Sequence, residues 1–258
     1  MEKQIKIPIG NKKYVYGNLR GSLKNPLIIT VHGLGGFKDE HMHFNGSKFF
    51  GSKGYAVFRF NLYGYEKDAR KLQDCTLSIH AKDLDIVIEH FRKQKVKKIY
   101  VVGHSYGGPT ILLSKNKDFD KVVLWDPTMD LKDIEKEFKK LKSTNMYYVD
   151  WGLAVIIGKN MVEDDKDVKP LELVKEIRVP IKFIFAGKGD LKKADWDRYF
   201  SAANNPKEKV VIVNASHNFH EDGTEEKLFK ETFAWLEKKD YFSSKKYPLD
   251  VLNHTISE

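Results

Sequence analysis

The sequence predicts an α/β fold with a doubly wound, mostly parallel sheet, and two observations lead to that expectation. Short apolar runs alternate along the chain with helix-like stretches, which is typical of parallel sheets covered by helices. Several runs, such as LIITV at 27–31 and IYVVG at 99–103, are continuously apolar, as expected for strands buried on both faces. The chain of 258 residues is long enough to form one domain with a large core.

The apolar runs predict seven strands, of which the first belongs to an antiparallel hairpin around Gly10 and Asn11. The expected strands are Lys13–Leu19, Leu27–Val31, Tyr55–Phe60, Lys98–Gly103, Lys121–Trp125, Ile181–Ala186 and Lys209–Asn214. Apolar residues recur at helical spacing over Ser78–Lys93 and Thr224–Lys239, and each of these stretches therefore predicts an amphipathic helix.

The segment 128–179 interrupts this alternation, because it contains no convincing buried strand. It holds a Lys/Glu-rich amphipathic stretch, an aromatic patch with Tyr147, Tyr148 and Trp151, and a short apolar run. Loops of this length are usually functional, so we expect a small cap insertion over one end of the sheet. Aromatic residues with no sheet strand to bury them indicate a substrate pocket, and we expect Tyr147, Tyr148 and Trp151 to line it.

Composition and charge exclude several classes of protein. The formal net charge is +9, from 45 Lys and Arg against 36 Asp and Glu, but few of the basic residues are arginine and they are scattered, so no nucleic-acid partner is expected. A single cysteine excludes an internal disulfide. No run approaches the ~18 apolar residues of a membrane span, and the first residues lack a signal-peptide pattern, which predicts a cytoplasmic protein. The oligomeric state stays open, with a homodimer as one option.

The pentapeptide Gly103-His104-Ser105-Tyr106-Gly107 has the pattern G-x-S-x-G, in which a serine nucleophile sits on a sharp turn. It directly follows an apolar strand and opens a helix-compatible stretch. A tight turn from strand to helix strains the central residue and lifts its hydroxyl out of the sheet end, while the flanking glycines leave room for close chain passage. This context predicts that Ser105 is a catalytic nucleophile.

A serine nucleophile requires a base, and the base requires an orienting acid. Asp190 and His217 each follow a predicted strand and come after Ser105 in the expected chain order, so we expect the triad Ser105, Asp190 and His217. Two competitors remain open. His220 shares a loop with His217, and Asp126 follows the strand before that of Asp190, where some proteins of this architecture carry their acid.

The stretch from His32 to Gly36 reads HGLGG and follows the strand Leu27–Val31. Its glycines allow backbone N–H groups to turn towards a developing negative charge, so we expect an oxyanion hole formed by the N–H groups of Leu34 and Tyr106. No Gly-Lys-Ser/Thr follows, which excludes a phosphate-binding P-loop. The metal-capable side chains between Asp39 and His43 lack the spacing of a metal site, and we expect neither a metal nor a cofactor.

Taken together, His32-Gly33, the turn Gly103–Gly108, Asp190 and His217-Asn218-Phe219 resemble the α/β-hydrolase superfamily of serine esterases and lipases, over nearly the whole chain. The stretch from Arg59 through the serine turn, with the insertion after the sixth strand, is most similar to the cinnamoyl/feruloyl-esterase-like branch. That branch usually has a D-x-R-G-x-G loop where this chain has NLYGY at 61–65, so the resemblance leaves the substrate open. In these relatives the cap covers the pocket and largely sets substrate preference.

These observations predict a serine carboxylesterase that hydrolyses a small or medium carboxylic ester, a small molecule, through an acyl-enzyme. The same triad would also serve an amidase or a thioesterase. The alternative from a different class is a non-catalytic protein of the same fold that binds a ligand under the cap.

Overall fold

The computed structural model describes residues 2–131, 136–189 and 193–238, and its centre is an eight-stranded sheet. The described strands are β1 (Glu2–Pro8), β2 (Tyr14–Arg20), β3 (Leu27–Val31), β4 (Ala56–Asn61), β5 (Ile99–His104), β6 (Lys121–Trp125), β7 (Lys139–Lys140), β8 (Met146–Asp150), β9 (Ala154–Gly158), β10 (Ile181–Ala186) and β11 (Lys207–Ile212). The order in the large sheet is β1-β2-β4-β3-β5-β6-β10-β11. Strand β1 pairs antiparallel with β2 and β2 antiparallel with β4, while all later neighbours are parallel.

The predicted α/β fold with a mostly parallel sheet is confirmed, including the antiparallel hairpin before Pro26. The last strand, β11, begins at Lys207, two residues before the predicted start. The described helices are α1 (His41–Ser52), α2 (Leu77–Lys93), α3 (Gly107–Leu113), α4 (Lys159–Asp167), α5 (Pro170–Lys175), α6 (Lys193–Ala202) and α7 (Thr224–Glu237).

Helices cover both faces of the sheet, so the sheet separates two apolar cores. On one face, α2 and α3 pack side chains such as Phe91 and Ile111 against the strands. On the other face, α1 and α7 contribute Phe50, Leu228 and Trp235. Continuous burial of five-residue strands such as β3 and β6 follows from this arrangement, which explains why their sequences do not alternate. No described helix is long and apolar enough to cross a membrane.

The segment expected to lack strands instead contains a second, antiparallel sheet in the order β7-β8-β9. Gly152, with φ +84°, lies in the turn between β8 and β9. Val149, Val155 and Ile157 are buried in an apolar cluster with Met161 of α4, the cluster we call the cap core. The expectation that this segment lacks strands was wrong, because three short strands that pair only among themselves carry a weak sequence signal. Residues 132–135 of the segment lie outside the described part.

The parallel strands β3, β5, β6 and β10 are neighbours, so their carboxyl ends meet along one edge of the sheet. The turns that follow them carry the residues 32–36, 104–107 and 126–128. In open α/β sheets ligands bind in the crevice beyond this edge. The topology therefore brings the predicted nucleophile, the glycine-rich turn and one of the two candidate acids to the same place.

Candidate active site

Ser105 lies on a sharp turn between β5 and α3 and has a left-handed backbone conformation, with φ +54°. Such a conformation is costly for a residue with a side chain, so the surrounding packing must hold it. A Cβ on Gly107 would lie 2.3 Å from the carbonyl oxygen of Val31, and one on Gly103 would lie 2.6 Å from that of Gly107. Only glycine fits at these two positions, as the G-x-S-x-G pattern predicts.

His217 reaches this turn from the loop after β11, and its Nδ1 lies 2.6 Å from Oδ2 of Asp126. Asp126 follows β6 and is 2% exposed. Its Oδ1 accepts a hydrogen bond of 3.0 Å from the backbone N–H of Ala186, and its own N–H donates to the carbonyl of Ile184 at 2.7 Å. The sheet therefore fixes the carboxylate that contacts the imidazole.

Asp190, the acid that the sequence favoured, lies outside the described residues. Its neighbour Gly189 is close to Asp126, since a Cβ on Gly189 would lie 2.4 Å from Oδ2 of Asp126. The loop after β10 thus passes over the Asp126 carboxylate. The sequence analysis kept Asp126 as the alternative acid because it follows a predicted strand. That position after a strand is the sequence feature that identifies it as a candidate.

The competing histidine, His220, occupies a different environment. Its ring stacks on that of His41, with centroids 4.4 Å apart, and Nδ1 of His41 lies 2.7 Å from Glu225. His220 therefore packs between its loop and α1, whereas His217 lines the cavity that contains Ser105.

His104, the residue before Ser105, connects the serine turn to the loop of His217. Its Nε2 donates a hydrogen bond of 2.9 Å to the backbone carbonyl of His217, and the two rings are 4.8 Å apart. Burial lowers the pKa of His104 well below its ordinary value, so this ring stays neutral beside His217. The interaction holds the His217 loop against the serine turn.

The glycine-rich turn after β3 is oriented by His32. The backbone N–H of Leu62 donates to Nε2 of His32 at 3.0 Å, which makes Nε2 the acceptor and leaves the proton on Nδ1. Nδ1 then donates to the carbonyl of Gly33 at 2.8 Å. Burial lowers the pKa of His32 to about 4, so this tautomer persists at neutral pH. In a planar trans peptide the N–H and C=O groups point in opposite directions. Because the Gly33 carbonyl points towards His32, the N–H of Leu34 points away from His32.

The peptide between Ser105 and Tyr106 is held in the same manner. The carbonyl of Ser105 accepts hydrogen bonds from the N–H groups of Gly108 at 2.9 Å and of Thr128 at 3.0 Å. The Tyr106 N–H of this planar peptide consequently points in the opposite direction.

Oγ of Ser105 makes its described hydrogen bond with Oγ1 of Thr128, at 3.2 Å, rather than with His217. Sequence reasoning missed both His32 and Thr128 in these roles, because a single polar residue after a strand carries no distinctive pattern.

A cavity of about 530 Å³ opens over these groups. Its described lining comprises the residues 33–36 of the glycine-rich turn, Glu40, His104, Ser105, the residues 126–130, Glu137, Trp151, Leu153, Val155, Asp195, His217 and Asn218.

Of the three aromatic residues expected in the pocket, the structure brings one to it. Trp151 lines the cavity, where its indole N–H donates to Glu137 at 2.7 Å. Tyr147 and Tyr148 are not part of its described lining. Both lie on β8, where Tyr147 packs against the cap core. Leu153 and Val155, which the sequence analysis did not single out, take their place in the lining.

Glu40 is a further charged residue in the cavity wall that the sequence analysis did not assign to the site. Oε2 of its carboxyl is buried without a hydrogen-bond partner in the described part of the chain and lies 3.8 Å from Nε2 of His43. Burial raises the pKa of Glu40 to about 7, against an ordinary value of 4.5, although a backbone hydrogen bond from Phe37 opposes the shift. Within residues 2–131, 136–189 and 193–238, no three His, Cys, Asp or Glu side chains are grouped to hold a metal ion.

With this geometry in view, comparison with known proteins identifies the family. The model of the alpha/beta hydrolase family matches residues 28–228, which is more than three-quarters of the chain. The chain belongs to the alpha/beta hydrolase family. The match begins in β3 and ends in α7, so it includes all the segments that form the cavity edge of the sheet.

Solved structures with the same fold include Est1E from Butyrivibrio proteoclasticus with bound ferulic acid, at 18% identity and a TM-score of 0.77, covering 91% of this chain and 100% of that one. The esterase domain of a Rhodothermus marinus protein is similar at 18% identity and a TM-score of 0.73, covering 91% and 97%. Among curated proteins, the Type I acyl-CoA thioesterase mpaH of Penicillium brevicompactum is 32% identical over 78 residues, or 29% of this chain. The match spans 18% of the thioesterase's length.

Replacing Glu40 by Gln should change how stability depends on pH. Because the pKa of Glu40 is higher in the folded chain than in the unfolded one, the folded state binds the proton more tightly, and wild-type stability falls as pH rises from about 4.5 to about 7. Glu40→Gln removes this loss, so the variant should gain roughly 3 kcal/mol over wild type between pH 4.5 and pH 8. Urea unfolding at several pH values measures the difference.

Glu89→Gln is the matched control, since Glu89 is exposed and pairs with Lys93 on the surface of α2. Its stability difference from wild type should not vary with pH in this window. An equal pH dependence for the two variants would mean that Glu40 ionises as an ordinary surface carboxylate.

Proposed function

We propose that this protein is a serine hydrolase that cleaves a small or medium carboxylic ester through an acyl-enzyme, with Ser105 as nucleophile, His217 as base and Asp126 as the orienting acid. The observation that carries the proposal is the convergence of three features in one cavity. These are the strained turn of Ser105, the 2.6 Å contact between His217 and a buried Asp126, and two backbone N–H groups whose peptides are held by their carbonyls.

In the acylation step, Oγ of Ser105 attacks the ester carbonyl carbon while Nε2 of His217 takes the hydroxyl proton. Asp126 accepts the hydrogen bond from Nδ1, which fixes the tautomer and stabilises the imidazolium. The N–H groups of Leu34 and Tyr106 bind the oxyanion of the tetrahedral intermediate. Neither N–H donates a hydrogen bond to another group in the part of the chain that the structure describes, so both are free for this role.

The tetrahedral intermediate collapses when the bond to the alcohol oxygen breaks and His217 gives its proton to the leaving alcohol. A water molecule then attacks the acyl-enzyme carbonyl, with His217 again removing the proton, and the second intermediate releases the acid and the Ser105 hydroxyl. Ser105 gives its hydroxyl proton to His217 in the acylation step, so its hydrogen bond with Thr128 can persist only with the Thr128 hydroxyl as donor.

The choice of Asp126 over Asp190 rests on the 2.6 Å contact with Nδ1 of His217 and on the hydrogen bonds with the sheet that hold Asp126. The Ala186 and Ile184 backbone groups of β10 hold Asp126 in a conformation with φ +36°, which a residue with a side chain adopts only under constraint. A buried acid bound at Nδ1 of the base is what the triad requires. Asp190 remains the competing acid.

The cavity and the known proteins favour an ester of modest size. Its volume of about 530 Å³ is within the usual range for small-molecule sites. Leu153, Val155 and Trp151 supply apolar side chains to its lining. The bound ferulic acid of Est1E and the esterase domain from Rhodothermus marinus are consistent with ester chemistry. The partial match to an acyl-CoA thioesterase favours a thioester as the second candidate substrate.

Ser105→Ala should abolish both hydrolysis and covalent labelling, because the residue acts through its hydroxyl. We expect wild-type protein to react with a fluorophosphonate probe and to hydrolyse members of a p-nitrophenyl ester series, methyl ferulate or a matched acyl thioester. The alanine variant should lose more than about 10³-fold in kcat and all labelling, while Ser52→Ala, an exposed serine on α1, should behave as wild type. An unlabelled and inactive wild type would favour a ligand-binding protein without turnover.

Asp126→Asn and Asp190→Asn distinguish the two acids. The asparagine at 126 still accepts the Ala186 hydrogen bond through its oxygen, so the fold should persist while the imidazole loses its preferred tautomer. We expect a loss of about 10⁴-fold in kcat for Asp126→Asn and less than tenfold for Asp190→Asn. Circular dichroism checks folding, and the reverse ranking of the two rates would restore Asp190 as the acid.

Trp151→Ala should alter substrate preference more than stability, because Trp151 lines the cavity and yet is 46% exposed. The ratio of kcat/KM between long-chain and short-chain esters should change by about tenfold, since apolar contacts of this size discriminate substrates to that extent. Met146→Ala is the control, as Met146 is exposed on the same hairpin and outside the described lining of the cavity. Uniform loss across all esters with a large drop in Tm would show that Trp151 serves only folding.

A further inference from the structure

The side chain of Tyr106 extends away from the proposed oxyanion hole and into the cap. Tyr106 is 1% exposed and packs in the cap core with Val155, Ile157 and Met161. Its hydroxyl donates a hydrogen bond to Oδ1 of Asp165, which lies on α4 and is 8% exposed. Burial and the nearby carboxylate raise the pKa of Tyr106 well above its ordinary value, so the phenol keeps its proton and remains a donor. One residue thus offers its backbone N–H to the cavity and its side chain to the cap.

The glycine-rich turn also contacts the cap. A Cβ on Gly35 would lie 2.7 Å from Cγ2 of Val155, so strand β9 packs directly on the residue that follows Leu34. The two proposed oxyanion donors come from separate segments, after β3 and after β5. Each of these segments therefore contacts the cap at or next to its proposed oxyanion donor.

We propose that Asp165 is a positioning residue, which holds the Tyr106 backbone N–H in place through the tyrosine hydroxyl and thereby makes the cap part of the oxyanion hole. This inference rests on the proposed serine hydrolase function. A buried hydrogen bond to a carboxylate is short and strong, and it fixes both partners. Removing one oxyanion donor costs about 10²–10³-fold in kcat in such enzymes, so misplacing one should cost a smaller factor, about tenfold to a hundredfold.

The same helix supplies a matched control. Asp164 precedes Asp165 and accepts hydrogen bonds of 2.8 Å from the backbone N–H and the hydroxyl of Ser78, at the start of α2. Both aspartates fasten α4 to the body of the protein. Of these two aspartates, only Asp165 contacts Tyr106, the residue after the proposed nucleophile. Substitution of Asp164 therefore weakens only the attachment of α4, whereas substitution of Asp165 also removes the contact that positions the Tyr106 N–H.

The test compares Asp165→Ala, Asp165→Asn, Asp164→Ala and Tyr106→Phe in the full chain. We expect Asp165→Ala and Tyr106→Phe to lower kcat by about tenfold to a hundredfold with little change in KM. Asp165→Asn should retain most activity, because an amide oxygen still accepts from the phenol. Asp164→Ala should keep kcat within about twofold of wild type. Affinity for a trifluoromethyl ketone, whose serine adduct places an oxyanion in the hole, should fall in parallel with kcat/KM.

The double variant Tyr106→Phe with Asp165→Ala distinguishes loss of the positioning contact from misfolding of a single variant. It removes both partners of the hydrogen bond between Tyr106 and Asp165, so neither partner leaves the other unsatisfied, and circular dichroism should show a retained fold. Its kcat should be as low as that of either single variant, since all three remove the same link. Restored kcat in the double variant, or equal kcat losses for Asp164→Ala and Asp165→Ala, would overturn the role of Asp165. An inactive, unlabelled wild type would overturn the proposed function itself.

Discussion

The close passage of the chain at Ser105 is the constraint on which the rest of the site depends. The turn after β5 runs so near the end of β3 that a single added carbon at Gly107 would collide with the backbone of Val31. This contact holds Ser105 in a left-handed conformation that its side chain disfavours. The free energy that stabilises the strained turn comes from the parallel sheet beneath it, in which β3 and β5 are neighbours. The strained conformation of Ser105, the proposed nucleophile, therefore depends on the pairing of these two strands.

Around this turn, hydrogen bonds to two backbone carbonyl groups fix the orientation of the peptides that face the cavity. His32 holds the carbonyl of Gly33, while Thr128 and Gly108 hold that of Ser105. In a planar trans peptide the N–H group points in the direction opposite to the carbonyl. Each held carbonyl therefore also fixes the direction of the N–H group of the next residue. The buried histidines take part as neutral rings, since burial lowers the pKa of both His32 and His104. His217, the proposed base, has a buried carboxylate as the partner of its Nδ1.

The strands, the helices α2 and α7 and the serine turn could be predicted from the sequence, because each carries a strong local pattern of burial or glycine spacing. The choice of acid could not, since Asp126 and Asp190 both follow strands, and which one meets the imidazole depends on how two loops cross. The small sheet β7-β8-β9 was missed because its strands are short and pair only with one another. Glu40 was missed because its significance comes from burial, which a polar stretch of sequence does not reveal.

The position of Asp126 two residues before Thr128 joins the proposed acid to the beginning of the inserted segment. The backbone N–H of Thr128 donates to the carbonyl of Ser105, and the hydroxyl of Thr128 forms a hydrogen bond with Oγ of Ser105, so the first residue of that segment contacts the proposed nucleophile twice. A chimaera that joins a foreign segment at residue 128 would keep the backbone contact with any residue except proline, but it would lose the contact with Oγ of Ser105 unless the new residue carried a hydroxyl group. A junction beyond Met129 would preserve both contacts.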